Sequence, residues 1–276
     1  INMLTSSAGS SQSNQAAFYA VFLMLLIVLV TYVYQIIDSV NGTITNMSEF
    51  MNVLIVPLLS LMAMSGAIST AAILSPMLLF YIDFIASVIK TVIIPLFMLS
   101  FAVGVINQAA LELKLKSFEK LIRQAAFFIM GFVMMSFGML SAIKGIAFSS
   151  LDGVMGKSIK YAVSNLIPVV GRFLSDSADT VASVSLIIKS GTGLIAYLIL
   201  LGIILAPIIK TGVIIILLKV SAALTEPISD ERCTALIETA ANTMINILAC
   251  MFLCAVMFLI FIGIVCTMSN YAAMLR

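Results

Sequence analysis

Four stretches of this chain, residues 17–37, 125–148, 191–209 and 244–268, are continuously apolar, with Lys144 the one charge among them. Each is about twenty residues or longer, the length a helix rising 1.5 Å per residue needs to cross a hydrocarbon core of about 30 Å. Inside a bilayer every backbone polar group must be satisfied within the protein, which leaves helices or closed barrels. Barrel strands would show segments of about ten residues in strict alternation, and these runs are continuous and about twice as long. Composition agrees. The chain is 62% hydrophobic and 9% charged, where soluble domains have about 45–50% apolar and about 25% charged residues. A soluble globular enzyme is excluded, and so is a disordered chain. The predicted fold class is all-α: a polytopic α-helical integral membrane protein with interfacial or re-entrant amphipathic helices.

Three further apolar runs are less regular. Residues 50–74 contain Pro57 and the small residues Ser65, Gly66, Ala67 and Ser69. Residues 76–107 would measure about 48 Å as one helix, with Pro95 as a place for a kink or break. Residues 211–224 are short and extend the run before them. The expected count is six or seven membrane segments. Residues 6–15, SSAGSSQSNQ, read as a polar linker. Residues 1–16 are therefore taken as the remnant of an N-terminal region, with a signal peptide or larger region removed ahead of Ile1, and 17–276 as a single transmembrane helical domain.

Two amphipathic pieces lie between the spans. Residues 109–124 place Leu111, Leu115, Phe118 and Ile122 on one helical face, opposite Glu112, Lys114, Lys116, Glu119, Lys120 and Arg123. That pattern suits an interfacial helix, and its basic residues suit the cytoplasmic side. Residues 152–190 are too polar for a simple span and too apolar for a solvated loop, and read as interfacial or re-entrant helices. Residues 38–49 hold Asp38 and Glu49 without a basic residue and read as an external loop. The two loop assignments together require an odd number of crossings between them.

Chemistry is restricted by what the chain contains. There is no histidine, so no His-based general base, metal site or proton relay. A net charge of +2 does not suggest nucleic acid. Cys233, Cys250, Cys254 and Cys266 include no CxxC and read as buried packing residues. The segment VMGKS at 154–158 lacks the first glycine of a phosphate loop, and the GTG at 191–193 lacks the rest of a dinucleotide fingerprint. Ser, Cys and Thr have no base beside them. Neither a catalytic site nor a cofactor is expected.

The remaining candidates are intramembrane charges and helix-packing residues. Asp83 and Lys90 are seven residues apart, on one helical face with Ser87 between them. They read either as a polar stripe lining a conduit or ion site, or as residues near an interface with Lys90 snorkelling. Lys210, and Lys219 after it, read as snorkelling cations or as part of a helix broken near Pro207, the kind that builds transporter sites. Asp176 and Asp179 form a charge-paired face with Arg172. Small residues four apart (Gly138 with Ala142, Ser141 with Gly145, Ala178 with Ala182) predict close helix packing, within one chain or between subunits. Most of the methionines read as pliable lipid-compatible filler.

Residues 165–189, NLIPVVGRFLSDSADTVASVSLIIK, and 219–230, KVSAALTEPISD, resemble signature segments of the stage III sporulation protein AE family. The matching residues are Pro168-Val169-Val170-Gly171, Ser175-Asp176 with Asp179-Thr180, and Ala222-Ala223-Leu224 with Glu226-Pro227-Ile228. The layout around Ile94-Pro95-Leu96 is similar over about residues 50–268. The resemblance implies a multi-pass component of the channel apparatus linking mother cell and forespore, in the mother-cell membrane around the forespore. It also implies other channel subunits as partners, including a separate ATPase. On this reading the chain is a platform or pore element, expected to form a homo-oligomer in membrane lipid. Pro168, Gly171, Asp176, Asp179, Glu226 and Pro227 would lie at a pore or subunit interface. The alternative is a secondary transporter or ion-coupled permease using Asp83, Lys90 and Lys210, though no internal repeat is visible. A purely structural scaffold is a third reading.

Overall fold

In the computed structural model the described backbone covers residues 11–64, 68–109, 115–139, 170–227 and 229–274, and the described side chains lie within 16–64, 68–109, 115–139, 191–227 and 229–266. Among these residues all regular structure is helical. The elements are α1 (Ser11–Met64), α2 (Ile68–Val88), a π-helical turn (Ile89–Ile93), α3 (Ile94–Ala109), α4 (Lys116–Met139), α5 (Val170–Thr225) and α6 (Glu231–Met274). Five helical stretches among the described residues are long and apolar enough to cross a membrane: Ala16–Met64, Ala71–Ala109, Lys116–Met139, Gly191–Thr225 and Glu231–Cys266.

Against the expected six or seven segments, five stand among the described residues, in part because segments fuse. Residues 38–49, expected as a loop, are helical and continue α1. Val33, Ile37, Val40, Ile44, Met47, Met51, Leu54 and Leu58 are all buried, and their alternating spacing of four and three is an unbroken helical seam. Burial of that seam outweighs the turn-forming Asn41-Gly42 pair. Thr43 removes its own polar cost by donating to the carbonyl of Ser39 at 2.7 Å. Thr31, Ser60, Thr91, Ser221, Thr239 and Thr243 bond backward in the same way, which makes hydroxyls tolerable in apolar helices. The backbone of residues 11–15, inside the expected linker, belongs to α1, and Pro57 lies within the helix without ending it.

Pro95 does not break its run. A proline in a helix removes one donor and crowds the carbonyl four residues back. Here the turn just before it widens to a π-turn, in which the Ile94 N–H bonds the Ile89 carbonyl. Pro207 likewise lies inside α5, which is unbroken from Val170 to Thr225. The discontinuous helix of the transporter reading is therefore not formed, and 211–224 extend the run before them as expected. The later part of 152–190 is the start of α5 rather than a separate re-entrant piece. Residues 140–169, including Pro168 and VMGKS, lie outside the described residues. The backbone of Gly171, Asp176 and Asp179 is helical, while their side chains lie outside the description.

The 109–124 piece is not a separate interfacial helix. From Lys116 on it forms the first turns of α4, whose buried seam is Ile122, Ala126, Val133 and Phe137. Phe118, expected on the apolar stripe, is 52% exposed, and Leu111 lies outside the description.

The chain divides into two compact units. The first comprises Ile1–Ile44, Ser87–Met130 and Ile204–Phe252. Within it Phe97 of α3 meets Phe127 of α4 edge-on at 5.3 Å. The Cys250 thiol lies 3.9 Å from the Met130 sulfur. Gly104 of α3 lets α6 approach, because a Cβ there would stand 2.7 Å from the Thr239 methyl. The second unit comprises Thr45–Ala86, Gly131–Ile203 and Leu253–Arg276. Within it the Tyr81 and Ser136 hydroxyls are hydrogen-bonded at 2.6 Å, and Phe137 stacks on Phe261 at 6.0 Å. The Tyr197 hydroxyl donates to the Leu259 carbonyl at 2.9 Å. Cys233, Cys250 and Cys254 are buried and form no disulfide among the described residues, as expected of packing residues, and Cys266 is partly exposed. At Gly138, where close packing was expected, no described residue lies within 4 Å of where a Cβ would stand.

Candidate functional site

In the second unit, α2 buries Leu74, Leu78, Ile82 and Ile85 along one stripe. Asp83 follows Ile82 and so lands at the edge of that stripe, exposed. On α1, Ser48 and Asn52 are one turn apart and flank the buried Met47 and Met51. This register brings three polar groups together. Asn52 donates its amide to Asp83 Oδ1 at 2.8 Å, and Ser48 donates its hydroxyl to the same oxygen at 3.4 Å. The Asn52 Oδ1 atom is buried without a hydrogen-bond partner. Around them Val53, Val56, Phe80 and Phe84 are exposed apolar residues. A carboxylate on such a surface costs at least about 2.5–3.5 kcal/mol when it faces lipid at mid-membrane. Water or protein on its open side removes that cost. No group of three or more His, Cys, Asp or Glu able to hold a metal occurs among the described residues.

In the first unit, the segment at 219–230 has a local structural task. Lys219 on α5 donates to Asn242 on α6 at 2.8 Å and lies 3.5 Å from Glu238. After Thr225 the chain turns, with Glu226 N–H bonding the Ala222 carbonyl and Ser229 N–H bonding the Thr225 carbonyl. Pro227 follows the helix end, where a residue unable to continue it is common. Asp230 then accepts from the Arg232 N–H at 3.0 Å, the bond of an N-cap. Glu226 and Pro227 are exposed on this turn.

Also in the first unit, the ends of α3 and α4 frame an open cavity of about 490 Å³ lined by Asn107, Gln108, Lys116, Glu119, Lys120, Arg123, Gln124 and Phe127. Glu119 pairs with Arg123 one turn on. Gly104 makes room for that pair, since a Cβ there would stand 3.4 Å from the Glu119 carboxyl carbon. The Asn107 side chain accepts from the Leu115 N–H at 3.0 Å, just before α4 begins.

Asp83 has α1 partners in the second unit, Lys90 lies in the π-turn of the first, and Lys210 is exposed on α5. The α-helical spacing that put Asp83 and Lys90 on one face holds only as far as Val88. Sequence reasoning missed Ser48 and Asn52. Their four-residue spacing was the available signal, but Ser48 stood in the expected loop and Asn52 just past it. It also missed Gly104, Gly193 and Gly263, the glycines that meet neighbouring side chains. In the GTG segment, Gly193 accommodates Cys266, whose sulfur would be 2.5 Å from a Cβ there.

The chain matches the family described as Stage III sporulation protein AE over residues 1–269. A curated relative named "Stage III sporulation protein AE", from Bacillus subtilis (strain 168), is 25% identical over 276 residues, which are 100% of this chain and 69% of that protein. No solved structure matches.

Proposed function

The chain belongs to the stage III sporulation protein AE family, and from that premise we propose that it is a membrane platform or pore element of the apparatus joining mother cell and forespore. It acts as a homo-oligomer in the mother-cell membrane around the forespore. Other subunits complete the complex, and one of them supplies ATP hydrolysis.

The observation that carries this reading is Asp83. It is held by Asn52 and Ser48 yet exposed beside the apolar Val53, Val56, Phe80 and Phe84, which fits a wet lumen or a second subunit better than lipid. Two features speak against an ion-coupled permease. Such proteins bind substrate at broken helices near the midplane. Here Pro207 sits in an unbroken helix, and the α3–α4 cavity lies at helix ends. The helical backbone at Gly171, Asp176 and Asp179, the preceding Pro168, and the exposed Glu226–Pro227 turn are assigned to a pore or subunit interface.

The test is complementation of a sporulating strain lacking its own family member. Asp83→Leu, and separately the Asp176→Asn/Asp179→Asn pair, should reduce heat-resistant spores at least tenfold with the protein still in the membrane fraction. Normal spore yield from both variants would overturn the proposal, as would a monomer with an apolar surface in electron microscopy of the purified protein.

A further inference from the structure

We propose that the cavity between the ends of α3 and α4 binds the headgroup phosphate of an anionic phospholipid. Among the described residues its lining carries Lys116, Lys120 and Arg123 against Glu119, a local excess of positive charge in a chain that is nearly neutral overall. Glu119 is engaged with Arg123. Lys116 and Lys120 make no ion pair among the described residues, so both ammonium groups can meet an anion. Gln108 and Gln124 add amide donors, and Asn107 keeps its NH₂ available because only its carbonyl oxygen is used by Leu115. Three cations with amide donors are the chemistry that recognises a phosphate diester.

A lipid, rather than free phosphate, follows from the cavity's other wall. Phe127 lines it and is 40% exposed. Leu121 and Phe128 extend the same helix with exposed apolar surface. A headgroup in the cavity would leave its acyl chains along these side chains of α4. The site stands where an apolar helix ends and a basic one begins, the level at which headgroups lie. The framework is fixed before the ligand arrives. Phe97 meets Phe127, Ser100 reaches the Glu119 carbonyl at 3.4 Å, and Gly104 accommodates the Glu119 carboxylate.

The experiment titrates the purified 276-residue chain in neutral detergent with short-chain phosphatidylglycerol, short-chain phosphatidylcholine and inorganic phosphate. Phosphatidylglycerol should bind, more weakly as salt rises, and the other two should bind at least tenfold less tightly. Lys116→Gln with Lys120→Gln should weaken phosphatidylglycerol about thirtyfold, at about 1 kcal/mol per cation. Lys116→Arg with Lys120→Arg should retain it. Lys210→Gln, which removes an exposed cation from α5, should leave it unchanged and controls for net charge. Equal affinity for phosphatidylcholine overturns the proposal, as does a double Gln variant within twofold of the parent or a Lys210→Gln variant that loses as much. Equal affinity for inorganic phosphate overturns the lipid assignment in favour of a free-anion site.

Discussion

Gly263 and Tyr197 make a close helix crossing in the second unit whose energetics can be worked through. A Cβ at residue 263 would stand 2.7 Å from the Tyr197 hydroxyl oxygen and 4.0 Å from the ring carbon that carries it. That hydroxyl also donates to the Leu259 carbonyl at 2.9 Å. Gly263→Ala therefore crowds one atom. Overpacking of this kind costs about 1–3 kcal/mol, and a displaced interhelical hydrogen bond costs about 0.6–1.7 kcal/mol in membrane proteins. Against this, alanine gains about 1 kcal/mol over glycine in a helix. The net expected loss is about 1–4 kcal/mol. Tyr197→Phe removes the crowding atom and leaves the nearest contact at the ordinary 4.0 Å. In that background the helix gain is unopposed, and Gly263→Ala should stabilise by up to about 1 kcal/mol. The double-mutant cycle thus predicts a change of sign and a coupling of about 2–5 kcal/mol. Thermal unfolding in detergent, followed with a thiol-reactive fluorogenic maleimide, suits the chain because Cys233, Cys250 and Cys254 are buried until it unfolds. Gly263→Ala should lower the midpoint by a few degrees in the parent and raise it by about 2 °C in Tyr197→Phe. Equal destabilisation in both backgrounds, or none in either, would refute the crowding argument.

Two further outcomes can be read in the same assay. Asp230→Ala removes the cap of α6 and should destabilise by about 0.5–2 kcal/mol, with Asp230→Ser recovering most of it. Gly104→Val would drive a side chain into the Thr239 methyl and the Glu119 carboxylate. It should cost about 1–3 kcal/mol and weaken phosphatidylglycerol binding as Arg123 loses its fixed partner.

Much of the fold was legible in order and little of it in extent. Continuous apolar runs far longer than a strand specify membrane helices whatever their partners, because hydrocarbon leaves the backbone no other way to satisfy its polar groups. The error came from reading residues 38–49 by their polar members. Asp38, Asn41, Gly42, Asn46 and Glu49 look like a loop, yet Val40, Ile44 and Met47 between them are fully buried. Their phase with Val33, Ile37 and Met51 was visible in the sequence and carried the correct answer. A helix terminus can be postponed wherever one face keeps its burial, so local turn propensity was the weaker signal. Pro95 was flagged as an irregularity, but its form, a π-turn with the Ile94 N–H on the Ile89 carbonyl, depends on hydrogen bonds that residue type alone does not choose.

The candidate sites divide the same way. Asp83 was legible because a carboxylate inside an apolar run is conspicuous by itself. Its partners Ser48 and Asn52 lie 35 and 31 residues away and are ordinary polar residues until α1 and α2 pack together. Lys116, Lys120 and Arg123 were visible as a basic face, while the cavity they share with Asn107 and Gln108 needs α3 to end beside the start of α4. The sequence by itself determined the solvent, the helical class and the family, because these follow from the length and order of apolar runs and from short motifs. Only the tertiary structure decided which glycines admit a neighbour and which polar groups meet. Those depend on the relative register of helices far apart in the chain, and a crossing is set by the side chains of both helices at once.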